Sequence, residues 1–231
     1  MDRSLLTALL FGTALMLAVT LCCRRYLGFP AWKIVLATLL LLAAGYAGTK
    51  LMFHIESGGW GGISFYGAVL FVPLLFVPVA PALRVRYARL MDLTALGVAA
   101  MLIVMKFKCC YDGCCYGRVL KDMGEGLLLR FPSQMAEAVN GAALLAVLLW
   151  WVRRGRHKGR LYPWYMVLYG ATRFFWNCFR GDLKPFVWIL PAGHFWSLVS
   201  IAAGCVWLFV TKNGKGAKDL EQTREQADTE T

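Results

Sequence analysis

The stretch MDRSLLTALLFGTALMLAVTLCC (residues 1–23) is apolar over nearly its whole length. A helix needs about 20 predominantly apolar residues to cross the hydrocarbon core of a bilayer. The stretch also has the basic residue and apolar core of a signal peptide, but its flank RRYLGFP has no clear small-residue cleavage site and more apolar segments follow. We therefore predict that residues 4–22 form a membrane-spanning helix.

Six further apolar segments extend this prediction to the whole chain. Hydrophobic residues make up 59% of the 231 residues and charged residues 16%, against roughly 25% charged residues in an average soluble domain. The chain is therefore predicted to be an all-α, polytopic membrane protein with about seven transmembrane helices, without an internal repeat. Residues 1–210 form the membrane domain, and the polar residues 211–231 are expected to be a disordered cytoplasmic tail. The further spans are predicted at 31–53, 62–83, 88–105, 134–152, 161–179 and 189–210.

Lysine and arginine residues are distributed unevenly between the two sides of the predicted bundle. Fifteen of the 25 lie in the connections after spans one, three and five and in the tail, which share one side. Because basic residues accumulate on the cytoplasmic side, we predict the amino terminus outside and the carboxyl terminus in the cytoplasm. The basic loop RRGRHKGR (153–160) suits contact with anionic lipid, and nucleic-acid binding is not expected.

A polar stripe lies within the sixth span, in YGATRFFWNCFRGD (169–182). Tyr169, Arg173, Asn177 and Arg180 follow one another at nearly helical spacing and so share a face. An unpaired guanidinium inside the membrane costs at least about 2.5–3.5 kcal/mol, so Arg173 is expected to face a polar cavity. The alternative is that Arg173 braces a neighbouring helix through its carbonyl groups.

Two other segments bring polar residues into apolar spans. In RFPSQMAEAVNG (130–141), Gln134, Glu137 and Gly141 share a face, and Glu137 is expected to pair with an arginine across helices, or alternatively with nearby Arg130. In ESGGWGGISFYGAVL (56–70), clustered glycines favour close approach of the chain to a ligand, beside Ser64 and Tyr66. A tight turn with small-residue packing is the alternative there.

The segment KFKCCYDGCCYGR (106–118) contains four cysteines, as two adjacent pairs. Neighbouring residues seldom point at one metal ion, so the spacing is weak evidence for a zinc site, and no metal ligand is assigned. A disulfide between Cys109 and Cys114 and simple packing of the loop remain open. Taken singly, Lys108 and Arg118 are equally consistent with a solvated loop.

In order along the chain, these segments resemble the prolipoprotein diacylglyceryl transferase family. GGISFYG is similar to the family's GGxSFHG, KFKCCYDGCCYGR to GRxGNFxNGExxGR, RFPSQMAE to RHPSQLYE, and YGATRFFWNCFRGD to YGxxRFxxEFFR. GTKLMFHIE (48–56) resembles GAKLxYVIE, and AGHFWSLVSI (192–201) resembles SMGQxLSxPM. The resemblance covers most of residues 45–205.

The resemblance implies a seven-span membrane enzyme with a lipid-accessible cavity open to the outer face. Such enzymes move diacylglyceryl from phosphatidylglycerol to the lipobox cysteine of an exported preprolipoprotein and release glycerol 1-phosphate. No cofactor is expected. The partners are phosphatidylglycerol or a related anionic phospholipid and the exported protein, and the location is the bacterial cytoplasmic (inner) membrane.

The resemblance also assigns site residues by position. Lys106 and Arg173 stand at two essential arginines and Tyr66 at a histidine, and these three with Glu137 are the expected catalytic residues. Lysine lacks the bidentate fork of arginine at a phosphate site, and tyrosine is a poorer base than histidine, so a catalytically impaired relative that binds phospholipid or lipoprotein is the alternative. The expected substrate-binding residues are Gly62, Ser64, Cys109, Asp112, Gly113, Cys114, Arg118, Ser133, Gln134, Tyr169, Asn177, Arg180 and His194.

Overall fold

A computed structural model of the protein describes residues 3–115, 117–122, 128–181, 185–187 and 189–229. The described chain is mostly helical with little sheet, which confirms the predicted all-α class. Its helices are α1 (Arg3–Cys22), α2 (Arg24–Leu27), α3 (Ala31–Ser57), α4 (Phe65–Leu75), α5 (Val79–Ala82), α6 (Tyr87–Tyr111), α7 (Ser133–Arg153), α8 (Leu161–Asn177) and α9 (Ala192–Thr229). Two small antiparallel hairpins pair β1 (Val119–Asp122) with β2 (Leu128–Arg130) and β3 (Pro185–Val187) with β4 (Leu190–Pro191).

Five of the described helices are long and apolar enough to cross a membrane: α1, α3, α6, α7 and the Ala192–Lys212 part of α9. They match five of the predicted spans. The predicted sixth span is α8, whose 17 residues stand at the lower limit of roughly 17–25 for a crossing helix. The molecule is therefore a multi-pass membrane protein.

The prediction of one continuous third span over residues 62–83 is wrong. The 11-residue helix α4 ends at Leu75, a turn follows, and the short helix α5 covers Val79–Ala82. Proline lacks the backbone N–H that an inner helical position donates, and its ring crowds the preceding turn. Pro73 lies in the last turn of α4, and Pro78 stands at the amino-terminal cap of α5. These prolines explain why an apolar segment of sufficient length does not form one rod.

Helix α6 is the central helix of the bundle. Its residues from Leu90 to Ala100 are buried without interruption, so every face of this segment meets other helices. Apart from Asp92 and Thr94, this segment is apolar on every face, as expected of a helix in the interior of a bundle. Helix α6 packs against α1, α3, α7 and α8, and its last turns carry the buried Lys106 at one end of the bundle.

Helices α3 and α4 cross at two glycines. A Cβ on Gly48 would lie 2.7 Å from the carbonyl oxygen of Gly67, and a Cβ on Gly67 would overlap the backbone of Gly48. Small residues at such a crossing let two helix backbones approach closely inside a membrane. The close approach fixes the start of α4, and with it the position of Tyr66.

Polar contacts join the elements at the end of the bundle opposite Lys106. The carboxylate of Asp92 accepts hydrogen bonds from the backbone N–H groups of Gly159 (2.6 Å) and Leu161 (2.9 Å) at the start of α8. The Tyr26 hydroxyl donates to the Arg156 carbonyl at 2.9 Å. Arginine and lysine residues of the connections after α1, α5 and α7 cluster at this basic end.

The last helix extends beyond the membrane-crossing segment. The backbone of α9 is helical to Thr229, and the side chains beyond Lys212 lie outside the described part of the chain. The segment expected to be a disordered tail thus continues the helix. The division into a membrane domain and a cytoplasmic tail stays a prediction.

Candidate active site

The candidate site lies where three helices end and three others begin. Helices α3, α6 and α8 carry Glu56, Lys106 and Arg173 near their last residues. Helices α4, α7 and α9 carry Tyr66, Glu137 and Ser197 near their first residues. Because consecutive spans run in opposite directions, residues far apart in sequence meet at one end of the bundle.

Glu137 is the centre of a buried ion cluster. Its carboxylate forms salt bridges with Lys106 and Arg173, and Nη1 of Arg180 lies 3.7 Å from its other oxygen. Only 3% of Glu137, 6% of Lys106 and 9% of Arg173 is exposed. The cross-helix arginine–glutamate pair that the sequence predicts is therefore present. One carboxylate serves three cations, so the cluster carries a formal surplus of positive charge.

Tyr66 is held from α9. Its hydroxyl lies 2.5 Å from Oγ of Ser197, and Ser197 donates its own proton to the Gly193 carbonyl at 2.7 Å. A serine hydroxyl has one proton, so Tyr66 must be the donor in the bond between the two side chains. The Tyr66 oxygen keeps lone pairs that can accept a hydrogen bond.

Glu56 and Ser197 are polar members of the site that the sequence did not assign. The Ser64 hydroxyl donates to Oε1 of Glu56 at 2.9 Å, and both residues line the cavity. Glu56 ends the segment GTKLMFHIE, and Ser197 lies within AGHFWSLVSI. Both segments carried the family resemblance, and this was the signal that could have found them.

A cavity of about 480 Å³ joins these residues to the apolar helices. Its polar end is lined by Glu56, Ser64, Tyr66, Lys106, Arg173 and Arg180. The remaining wall is mainly apolar and comes from α1, α3 and α6, with Leu5, Leu9, Met16, Leu41, Leu42, Phe53, Val98, Met101 and Met105. Tyr66, Lys106 and Arg173 therefore face one chamber, which has cationic side chains at one end and an apolar wall along the rest of its length.

Three further predicted residues lie around the polar end. Tyr169 is buried in the cavity wall, and its ring lies 5.5 Å from that of Tyr66. Asn177 is buried beside Gly193, and its amide has no hydrogen-bond partner among the described residues. His194 packs edge-on against Phe174, with Nε2 at 3.7 Å from the sulfur of Cys178. Tyr169 and Asn177 thus keep polar groups beside the chamber.

The signature loop after α6 contributes less to the chamber. Cys109 lines it, whereas Asp112, Gly113 and Cys114 form the turn that ends α6. The exposed Asp112 pairs with Lys108, and this contact lowers the pKa of the Asp112 carboxyl. The structure does not bring these three turn residues into the chamber.

The other predicted binding residues contact the loops and helices next to the chamber. Ser133 and Gln134 donate hydrogen bonds to the carbonyls of Cys115 (2.6 Å) and Cys114 (2.7 Å). The Arg118 guanidinium lies over the Phe179 ring at 5.3 Å. A Cβ on Gly62 would overlap the outer atoms of the Phe53 ring unless that ring moved. None of these four lines the described cavity.

The fold and the site define a helical, multi-pass membrane protein whose cationic chamber opens between apolar helices. A family model described as prolipoprotein diacylglyceryl transferase matches residues 7–210. The chain therefore belongs to the prolipoprotein diacylglyceryl transferase family, a family of transferases.

Several relatives resemble the chain over much of its length. The phosphatidylglycerol–prolipoprotein diacylglyceryl transferase 2 of Clostridium perfringens is 25% identical over 218 residues, which cover 83% of this chain and 84% of that protein. A phosphatidylglycerol–prolipoprotein diacylglyceryl transferase of Nitrosomonas europaea is 28% identical over 73% of this chain and 66% of its own. The one from Geobacter sulfurreducens is 33% identical over 52% of this chain and 49% of its own.

Proposed function

We propose that this protein transfers diacylglyceryl from phosphatidylglycerol to the lipobox cysteine thiol of an exported preprolipoprotein. The observation that carries the proposal is the chamber, whose apolar wall suits acyl chains and whose end holds Lys106, Arg173 and Arg180. The three cations can neutralise the phosphodiester of such a lipid, and the leucine and methionine side chains can pack against its acyl chains.

The reaction requires stabilisation of a leaving phosphate. The thiol sulfur forms a bond to the terminal glycerol carbon of the diacylglyceryl group, and the bond from that carbon to the phosphate oxygen breaks. The thiol proton passes to solvent, and glycerol 1-phosphate departs with the electron pair of the broken bond. Negative charge grows on the phosphate during this step, and fixed cations at that point stabilise the transition state.

Arg173 and Lys106 are the cations proposed for the phosphate. Glu137 contacts both and fixes their positions, since a carboxylate occupied by three cations is suited to orientation more than to proton transfer. Tyr66 donates to Ser197 and presents its oxygen lone pairs to the chamber, which suits a group that accepts a hydrogen bond from substrate.

The proposed setting follows the same logic. We place the protein in the bacterial inner membrane, with the chamber near the outer leaflet and the basic end in the cytoplasm. The charge distribution supports this orientation, because the arginine-rich connections and the site lie at opposite ends of the bundle.

The test is complementation of a strain depleted of its own diacylglyceryl transferase, combined with release of glycerol phosphate by purified protein from phosphatidylglycerol and a lipobox peptide. Wild type should rescue growth, whereas Arg173→Ala and Lys106→Ala should not. Lys108→Ala is the matched control, since Lys108 lies on the same helix but pairs with exposed Asp112. Lys106→Arg should raise kcat/KM about tenfold, equivalent to about 1.4 kcal/mol of transition-state stabilisation from the bidentate fork.

A second function remains open because Lys106, Tyr66 and Cys114 replace the family's arginine, histidine and glutamate. The alternative is a relative that binds phospholipid or lipoprotein without transfer. Absence of rescue and of glycerol phosphate release, with phosphatidylglycerol still bound by wild type and lost in Arg173→Ala, would favour it over the transferase.

A further inference from the structure

Three cysteine sulfurs converge at the end of α6. The Sγ atoms of Cys109, Cys114 and Cys115 all lie within 4.8 Å of one another. No described cysteine forms a disulfide. Cys109 and Cys115 also line the chamber, whereas Cys114 is exposed. The cluster therefore lies in the chamber wall with one member open to solvent.

The helix end builds the first two members of this cluster. Gly113 adopts a left-handed conformation with φ of 64°, and the Cys114 N–H donates to the Cys109 carbonyl at 3.1 Å. A second bond runs from the Gly113 N–H to the Cys110 carbonyl at 3.4 Å. This bond pattern is a Schellman motif, in which the side chains at the positions of Cys109 and Cys114 commonly touch. Packing at a helix end therefore accounts for these two cysteines.

The third member needs a further bend of the chain. Cys115 has a φ of 59°, in the left-handed region that few residues other than glycine adopt. This bend brings two consecutive side chains to the same place, which answers the objection from sequence that adjacent cysteines seldom share a ligand. Helix-end packing does not require it, so the conformation of Cys115 points to a use for the third sulfur.

The loop is fixed from α7. Ser133 and Gln134 bind the carbonyls of Cys115 and Cys114 at 2.6 and 2.7 Å. The backbone that carries the three cysteines is therefore fixed by α6 on one side and by hydrogen bonds from α7 on the other. Outer contacts of this kind orient the ligands of a metal site.

We propose that Cys109, Cys114 and Cys115 bind one thiophilic metal ion of the Zn²⁺ or Cu⁺ class. Tetrahedral zinc with bonds of about 2.3 Å to sulfur requires neighbouring sulfurs about 3.8 Å apart. Side-chain rotations that move the sulfur atoms by about 1 Å would bring them to this spacing. Three thiols each lose a proton to solvent as three metal–sulfur bonds form. A divalent ion then carries a net charge of −1 with its thiolates, beside the surplus positive charge around Glu137.

Ion binding has a structural consequence for the chamber. Cys109 follows Lys106 by three residues, one turn along α6. A bound ion ties that turn to the loop after it, so occupancy stabilises the helix end that presents Lys106. The protein should therefore unfold at higher temperature when the ion is bound, because the assembled site binds the ion more tightly than the unfolded chain does.

The experiment uses the full chain purified in detergent through an affinity tag free of histidine and cysteine, reduced and then freed of reductant. Zn²⁺ is titrated against a chromogenic chelator, and Co²⁺ is used to reveal sulfur-to-metal charge-transfer bands. We expect one ion per chain. Cys109→Ser, Cys114→Ser and Cys115→Ser should each weaken binding at least about tenfold, and the ion should not raise the unfolding temperature of the Cys115→Ser protein.

Cys110→Ser is the matched control, since Cys110 is exposed on the same helix end and outside the cluster. It should bind the ion as wild type does. The proposal is overturned if wild type binds no ion, if the three cluster variants bind as wild type does, or if Cys110→Ser loses binding equally. These readouts need no transfer activity, so they are independent of the proposed function.

Discussion

At the scale of single residues, Glu137 decides whether the site can exist. Lys106 and Arg173 are both almost fully buried, and each carries a positive charge that the membrane interior opposes. The Glu137 carboxylate contacts both of them. We therefore expect the same residue to contribute both to stability and to the placement of the cations that the proposed reaction uses.

Replacement of Glu137 by glutamine should therefore be severe. Breaking a buried ion pair by removing one partner costs about 3–5 kcal/mol, because the remaining charge is left uncompensated. We expect a large fall in the free energy of unfolding, measured by thermal or denaturant unfolding in detergent, together with loss of transfer. Asp112→Asn is the control, since its pair with Lys108 is at the surface, where such pairs contribute about 0–1 kcal/mol. Equal losses in the two variants would contradict this account.

Sequence reasoning found most of the site but missed one charged residue, Glu56, and one neutral residue, Ser197. The insertion cost of a charge inside an apolar segment identified Arg173 and Glu137, and the family resemblance added Lys106 and Tyr66. Ser197 escaped because a serine near a helix start is unremarkable until the Tyr66 hydroxyl is placed beside it. Contacts across helices depend on rotation and depth, which a single sequence does not specify.

At the scale of elements, the crossing of α3 and α4 sets the position of Tyr66. Gly67→Ala would place a methyl group against the backbone of Gly48, and backbone cannot move aside as a side chain can. Overpacking of this kind costs about 1–3 kcal/mol, so we expect a lower unfolding temperature and a shifted α4. Gly61→Ala is the matched control, because a Cβ at Gly61 meets nothing within 4 Å. An unchanged unfolding temperature in Gly67→Ala would show that the crossing is not tight.

The connection between α7 and α8 gives the molecule a pH-dependent element. His157 packs between the rings of Trp151 and Trp164, and burial, assisted by Arg156 and Arg160, lowers its pKa. The folded protein therefore prefers the neutral imidazole, and the unfolded chain binds more protons. This contribution to stability is present above about pH 6.5 and is lost as the pH falls through the folded pKa.

His157→Asn tests this sign. Asparagine tolerates the left-handed backbone found at His157, where φ is 54°, and does not titrate. Unfolding temperatures measured from pH 7.5 down to pH 5 should fall less steeply for the variant than for wild type. Parallel curves would mean that His157 contributes nothing to the acid dependence.

The elements themselves were predicted with mixed success. Segments with a long apolar run and few breakers, such as α1, α3, α6 and α7, form helices close to the predicted spans. The prediction of the third span failed because hydropathy measures how apolar a segment is, not whether its backbone can stay helical. Pro73 and Pro78 interrupt the helix although the segment is apolar enough to cross a membrane. The small hairpins lie in loops whose local pattern is too short to predict.

At the scale of the whole molecule, the two ends of the bundle differ in kind. One end holds the chamber and the cysteine cluster, and the other holds the arginine-rich connections tied together by Asp92 and Tyr26. Charge counting from sequence predicts which end faces the cytoplasm. It does not reveal the chamber, which exists only once six helix ends are assembled.

The orientation can be measured with the protein's own cysteines. Cys110 is exposed at the chamber end and Cys22 is exposed at the basic end. In two variants that each retain one of them as the sole cysteine, a membrane-impermeant maleimide applied to intact spheroplasts should label Cys110 and spare Cys22. Labelling should become equal after the membrane is permeabilised. The reverse pattern in intact spheroplasts would invert the proposed topology.

The oily wall supplied by α1 carries a last consequence. In the proposed reaction only the phosphoglycerol group is exchanged for a protein sulfur, and both fatty tails persist unchanged in the product. In that reaction we expect the acyl chains of substrate and product to enter and leave the chamber laterally, from the bilayer, along its apolar wall. Neither pair of acyl chains then has to pass through water. Each turnover then replaces a membrane phospholipid by a membrane-anchored lipoprotein. Glycerol 1-phosphate is the product that needs an aqueous exit.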